Sequence, residues 1–154
     1  MPEAKTVEFV DPKRYMGTWF EIARFPQRFE NGLVGVTATY TLLPTGQVEV
    51  VNGGYKDNLD GKFKSIKGKA WVADTKTNAK LKVRFFWPFT ADYWILELGK
   101  DYEYAVVGDA SGRNLWILSR TPQMEAGLYD ELVKRMQGKG FDTSKLEKVP
   151  QKQV

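Results

Sequence analysis

The chain has 154 residues, enough for one domain that buries a core without a metal or a disulfide. It contains no cysteine and no histidine, which excludes disulfides, thiolate chemistry, Ser-His-Asp and Cys-His catalysis, and the common histidine-based zinc and haem sites. The net charge of +4 is scattered, with no basic helix or recognition module, so no nucleic-acid partner is expected; it reads as a mixed solvated surface or as mild attraction to anionic lipid.

Residues 1–8 are too short and polar to be a secretory signal, and no run of about 18 apolar residues follows. With a native start here, the chain is expected in the cytoplasm or peripherally on a membrane. With a trimmed leader, the periplasm or outer membrane is expected. One domain is assigned to 1–154, with its core at about 9–150 and with a loosely ordered lead-in (1–8) and tail (148–154).

Residues 11–15 predict a short helical turn. Period-two apolar patterns then predict strands over 18–25, 34–43, 47–55, 63–73, 80–86, 93–98, 104–108 and 115–119. Turn-forming residues separate them, among them Pro44-Thr45-Gly46 and Ser111-Gly112. Met124, Leu128, Leu132 and Met136 recur every four residues, with Tyr129 and Val133 alongside, as in an amphipathic helix. Thr121 is its expected cap, Pro122 fits its first turn, and Gly138 or Gly140 ends it. Short strands followed by one helix indicate an all-β fold. The expectation is an eight-stranded antiparallel up-and-down β-barrel with one C-terminal α-helix on its outside.

If the strands run up and down, the first begins and the eighth ends at the same end of the barrel. Trp19 and Arg120 then meet there as a cation–π pair, with Gly17 allowing close backbone passage. Loops 26–33, 56–62, 87–92 and 109–113 fall at the opposite end, the candidate mouth. Alternation assigns an inward, ligand-facing set. On the first two strands it is Glu21, Ala23, Phe25, Val36, Ala38 and Tyr40. On the fourth and fifth it is Gly68, Ala70, Val72, Leu81, Val83 and Phe85. Trp94, Leu96, Tyr104, Val106 and Trp116 complete it. These residues line a cavity or fill a solid core, and the pattern leaves both open. Glu21 inside needs a partner, from Arg120 or a tyrosine hydroxyl; it is structural or a head-group contact.

The stretch Tyr15-Met16-Gly17-Thr18-Trp19-Phe20-Glu21-Ile22-Ala23-Arg24 carries a Gly-x-Trp signature, and Leu118-Ser119-Arg120-Thr121-Pro122 a closing arginine. With Arg28-Phe29-Glu30, Ala38-Thr39-Tyr40 and Ala79-Lys80-Leu81-Lys82-Val83, they form an ordered set over about residues 9–150. In these the chain resembles the lipocalin family, in the group holding bacterial outer-membrane lipocalins, apolipoprotein D and plant temperature-induced lipocalins. The structural signature is then Tyr15, Gly17, Trp19, Asp101, Tyr102 and Arg120. Lys100-Asp101-Tyr102 departs from the family's usual Thr-Asp-Tyr, which bears on that turn's geometry. The lipidated cysteine of the bacterial members is absent from this chain.

The resemblance implies a monomeric or homodimeric carrier of a small hydrophobic ligand, a fatty acid, lysophospholipid or related lipid, in membrane storage, transport or repair under stress. No cofactor, metal or reaction is implied. Arg28, Phe29, Lys62, Trp87, Phe89 and Arg113 are the mouth and head-group candidates. The charged ones are otherwise solvated surface. Trp87 and Phe89 either touch a membrane or pack over the mouth. A tetrapyrrole or pigment carrier is the alternative function, a scaffold domain with a filled core a further one. An enzyme acting on an apolar substrate would have only carboxylates, Tyr and Lys to work with.

Overall fold

The computed structural model describes residues 5–26, 32–86 and 88–152. The chain enters across one end of the fold, where the Val7 amide donates to the Ile95 carbonyl and the Val10 amide to that of Thr77. A single helical turn, α1 (Pro12–Tyr15), follows. Asp11 caps it by accepting from the Lys13 amide, and Pro12 sits at its first position, where no amide hydrogen is needed.

Eight antiparallel strands come next: β1 (Gly17–Arg24), β2 (Leu33–Leu42), β3 (Val48–Lys56), β4 (Phe63–Val72), β5 (Lys80–Phe86), β6 (Phe89–Leu98), β7 (Tyr104–Gly108) and β8 (Leu115–Ser119). Each pairs with its sequence neighbour, β8 returns to β1, and β1 also pairs with β2, so the barrel is closed. Closure leaves these strands no exposed edge.

Two apolar layers share the barrel wall. The inner layer includes Trp19, Tyr40, Val48, Val50, Ala70, Ile95, Ala105, Val107 and Leu118. The outer layer includes Ala23, Phe25, Trp94, Leu96, Val106, Leu115 and Ile117, and packs under Leu132 and Met136 of α2 (Ala126–Gly138). That helix begins later than Thr121 and Pro122 suggest, with Glu125 at its N-cap and no side-chain cap. Its end is a Schellman turn: the Phe141 amide donates to the Met136 carbonyl and the Gly140 amide to that of Gln137. Gly140 sits at φ +96°, where a β-carbon would be strained, and Phe141 is buried with Met136.

Residues 148–151, part of the tail expected to be loose, are held on the barrel. A short strand, β9 (Glu147–Lys148), pairs with Ala23 and Arg24 of β1. The Val149 amide donates to the Ile22 carbonyl, and the Gly35 amide to that of Pro150. The Gln151 amide nitrogen donates to the carbonyls of Glu21 and Val36, both at 2.8 Å. This strap fills the seam where the mouth halves of β1 and β2 diverge, because direct β1–β2 pairing stops at Phe20–Thr37.

Candidate functional site

The closed end is built around one guanidinium. The Arg120 carbon lies 3.8 Å from the Trp19 ring centroid, and its nitrogens donate to the carbonyls of Arg14, Thr18 and Tyr102. One side chain thus ties α1, β1 and the β6–β7 turn together. Gly17 permits it: at φ +101°, a β-carbon there would stand 3.2 Å from the guanidinium. Trp19 is fully buried and donates from its indole nitrogen to the Tyr15 carbonyl. Tyr102 holds a positive φ of 57°, accepts from the Asp11 amide at its hydroxyl, and carries Arg14 over its ring. Asp101 is exposed and its amide donates to the Glu103 carboxylate. The Lys100-Asp101-Tyr102 turn therefore still anchors the plug.

Above Trp19 stand three tyrosines. The Tyr93 hydroxyl lies 2.8 Å from those of both Tyr15 and Tyr40. The Tyr15 ring tilts against Trp19 at 5.0 Å and stacks on Tyr40 at 5.8 Å. Burial pushes the Tyr15 and Tyr93 phenols well above their ordinary value, with repulsion from neighbouring phenols adding to it. Both are neutral hydroxyls at physiological pH.

From this floor the inner wall rises toward the mouth. Ala70 is buried in the inner layer, against which Ala38, Leu81, Val83, Phe85, Tyr93 and Trp116 pack while staying only partly buried. Val72 pairs with Leu81 in register. Residues between barrel and helix, such as Leu96, Val106 and Met136, are at 0% exposure. Inner residues such as Ile95, Ala105 and Val107 are buried as completely, so the partial exposure of the inner layer is confined to particular positions, Ala38, Leu81, Val83, Phe85, Tyr93 and Trp116 among them. The space left by Gly68 is occupied: the Phe85 ring lies where its β-carbon would be, 2.6 Å away. Val36 is buried against Gly54 at a bulge in β2.

Six residues assigned inward lie on the other side of the wall. Ala23 and Phe25 belong to the outer layer because β1 bulges between Glu21 and Ala23, which reverses the alternation. The bulge turns Arg24 to the face that Glu21 occupies, opposite inward Trp116. Trp94, Leu96, Tyr104 and Val106 also face the helix, while Tyr93, Ile95, Ala105 and Val107 face in. Tyr93 had a signal in the sequence. Leu81 is inward by the Lys80/Lys82/Arg84 alternation, and hairpin pairing places Tyr93 opposite it.

Glu21 finds its charge partner in Arg24 rather than in Arg120. Their side chains, both buried, stand 3.8 Å apart. Arg24 also donates to the Glu147 carboxylate at 3.2 Å and to the Leu33 carbonyl at 3.0 Å. It thereby joins β1, β2 and the C-terminal strap.

At the mouth, Lys62 and Arg113 are exposed. Phe86 and Phe89, at the tip of the β5–β6 hairpin, are 52% and 75% exposed. Arg28, Phe29 and Trp87 lie outside the described residues. Among the described residues no three His, Cys, Asp or Glu side chains cluster to hold a metal, and no helix is long and apolar enough to cross a membrane.

A closed antiparallel barrel of eight strands plugged at one end by a Trp–Arg pair has the architecture of the small up-and-down β-barrels, whose strand number is the one that leaves room for a single small ligand. Residues 10–151 match the family model described as a lipocalin-like domain, and the chain belongs to the lipocalin family. It is 45% identical over 159 residues to temperature-induced lipocalin-1 of Arabidopsis thaliana, covering 97% of this chain and 83% of that protein. It is 44% identical over 135 residues to the outer membrane lipoprotein Blc of Escherichia coli K12, covering 88% and 76%. Among solved structures, insecticyanin of Manduca sexta shares the fold with a TM-score of 0.78 at 21% identity, covering 99% of this chain and 86% of its own. Lipocalins are in general binding and transport proteins for small hydrophobic molecules.

Proposed function

We propose that this chain binds and carries a single-chain lipid, a fatty acid or lysophospholipid, in its barrel for membrane lipid storage, transport or repair. The observation that carries the reading is that Ala38, Val83, Phe85, Tyr93 and Trp116 face the barrel interior and yet stay partly exposed. Burying an alkyl chain there contributes about 0.8 kcal/mol per CH₂. A lysophospholipid head, held at the mouth, would meet Lys62 or Arg113. No catalytic step is part of this reading.

The exposed Phe86 and Phe89 at the mouth support peripheral contact with a bilayer during loading or release. Native mass spectrometry of the freshly purified protein, followed by organic extraction, tests the cargo. A fatty acid or lysolipid at near-stoichiometric load is the expected result. An empty protein that also fails to take up a fluorescent fatty acid overturns the reading.

A further inference from the structure

We infer that the Tyr15–Tyr40–Tyr93 cluster is a polar subsite at the barrel floor that takes the carboxylate of a fatty acid, so that the acid binds head-down with its methyl end toward the mouth. This rests on the lipid-carrier reading and assigns the orientation and head group of the cargo.

The geometry is specific. Three phenol oxygens meet in a chain centred on Tyr93, at 2.8 Å on either side. They come from α1, β2 and β6, so the fold converges three separate segments on one polar spot within the inner apolar layer. A hydroxyl rotates its proton to suit the acceptor present. When a carboxylate arrives, Tyr93 and Tyr40 can both turn their protons toward its two oxygens, while Tyr15 donates to Tyr93. Tyr93 keeps part of its side-chain surface exposed while its hydroxyl is buried, so an arriving carboxylate has to part the three phenols to bind them, and fully buried Trp19 closes off anything deeper.

Charge favours an anion over a neutral acceptor. The Arg120 guanidinium, on the far face of Trp19, exerts its positive charge on Tyr15, and all three phenols interact electrostatically with it. Burial keeps Tyr15 and Tyr93 protonated, hence donors. The inward carboxylate of β1, Glu21, is held by Arg24 and so repels an incoming anion less than a lone carboxylate would. A buried carboxylate needs such donors, and a carboxylate is small enough to descend the barrel ahead of its chain. A lysophospholipid cannot follow it, because its large zwitterionic head has to stay at the mouth.

The test uses the full chain and two labelled probes, palmitate carrying ¹³C at C2 and palmitate carrying ¹³C at its terminal methyl. In isotope-filtered NOE spectra, the C2 protons are expected to contact the Tyr93 and Tyr40 rings, and the terminal methyl to contact residues nearer the mouth, such as Phe85. The reverse assignment overturns the inference and leaves the carrier reading standing. Tyr93→Phe and Tyr40→Phe keep the rings and remove the hydroxyls. Palmitate affinity should fall by about 10- to 100-fold in Tyr93→Phe, as expected for losing charge-assisted hydrogen bonds. Affinity for lysophosphatidylcholine with the same acyl chain should stay within about twofold on the same scale. An equal loss for both lipids, or none for palmitate, overturns the subsite. A wild-type chain that binds neither lipid removes the carrier reading itself, and the subsite with it.

Discussion

At the scale of single residues, Arg120 does what no neighbour can replace. Its five donors and flat face serve three carbonyls and one indole at once. Arg120→Ala leaves those carbonyls without their donor and uncovers Trp19. A loss of about 2–4 kcal/mol is expected, read as a lower urea midpoint at unchanged slope. Arg120→Lys should recover little, since an ammonium cannot present the same fork. The tyrosine floor makes a second residue-level prediction. Tyr15 and Tyr93 have folded pKa values raised well above the unfolded value of about 10. Their contribution to stability is therefore complete below pH about 10 and is lost as pH climbs from there through the folded values, because the unfolded chain releases its protons first. Urea midpoints at pH 9, 10 and 11 should fall steadily. A Tyr15→Phe/Tyr93→Phe double variant should flatten the decline, and an unchanged slope in it would refute the assignment.

At the scale of elements, the strands themselves were legible in the sequence, but the faces they present were legible only where the alternation ran unbroken. β5 is the clear case: Lys80, Lys82 and Arg84 leave Leu81, Val83 and Phe85 a single way to point. β1 reads just as regularly, yet holds a bulge between Glu21 and Ala23; on β6 the bulge between Ile95 and Glu97 lies beyond Trp94, whose outward face follows instead from the pairing of Tyr93 with inward Leu81. A bulge inserts one residue against a partner strand and flips everything beyond it. Nothing in side-chain polarity marks the bulge in β1, because Ala23 and Phe25 are buried on the outer face as fully as they would be on the inner one once a helix covers the outside. The Trp19–Arg120 plug was legible because strand parity alone dictates it. The strap of 147–151 was not, since its hold is made largely by backbone groups and one amide side chain rather than by an apolar pattern. That strap carries its own prediction. Gln151→Ala removes the donor shared by the Glu21 and Val36 carbonyls and should cost about 1–2 kcal/mol. Amide exchange should quicken at the β1–β2 seam, in residues 21–24 and 33–36, with β4 and β5 unaffected. Uniform quickening across the barrel would mean that the strap acts on global stability rather than on the seam.

At the scale of the molecule, the proposed carrier role gives one wall two purposes, one on each side. Outward residues of β1, β6, β7 and β8 meet α2 in a layer centred on fully buried Leu96, Val106, Ile117, Leu132 and Met136, where area removed from water becomes folding energy. Inward residues such as Val83 and Phe85 keep part of their apolar surface exposed, and this is the surface the proposed carrier role would use. A protein built this way should let stability and binding be changed independently. Leu96→Ala, beneath the helix, should cost about 2–5 kcal/mol while leaving fatty-acid affinity intact under conditions where the variant is folded. Val83→Trp places an indole into the open lumen from the middle of β5. It should lower fluorescent fatty-acid uptake at least tenfold, roughly the effect of denying the chain a few methylenes of burial, with little change in the thermal midpoint. Parallel titration and thermal unfolding of the two variants check this. A Val83→Trp protein that unfolds much earlier but still binds would mean that the interior is packed and the ligand sits elsewhere, for then the added ring would meet side chains rather than space.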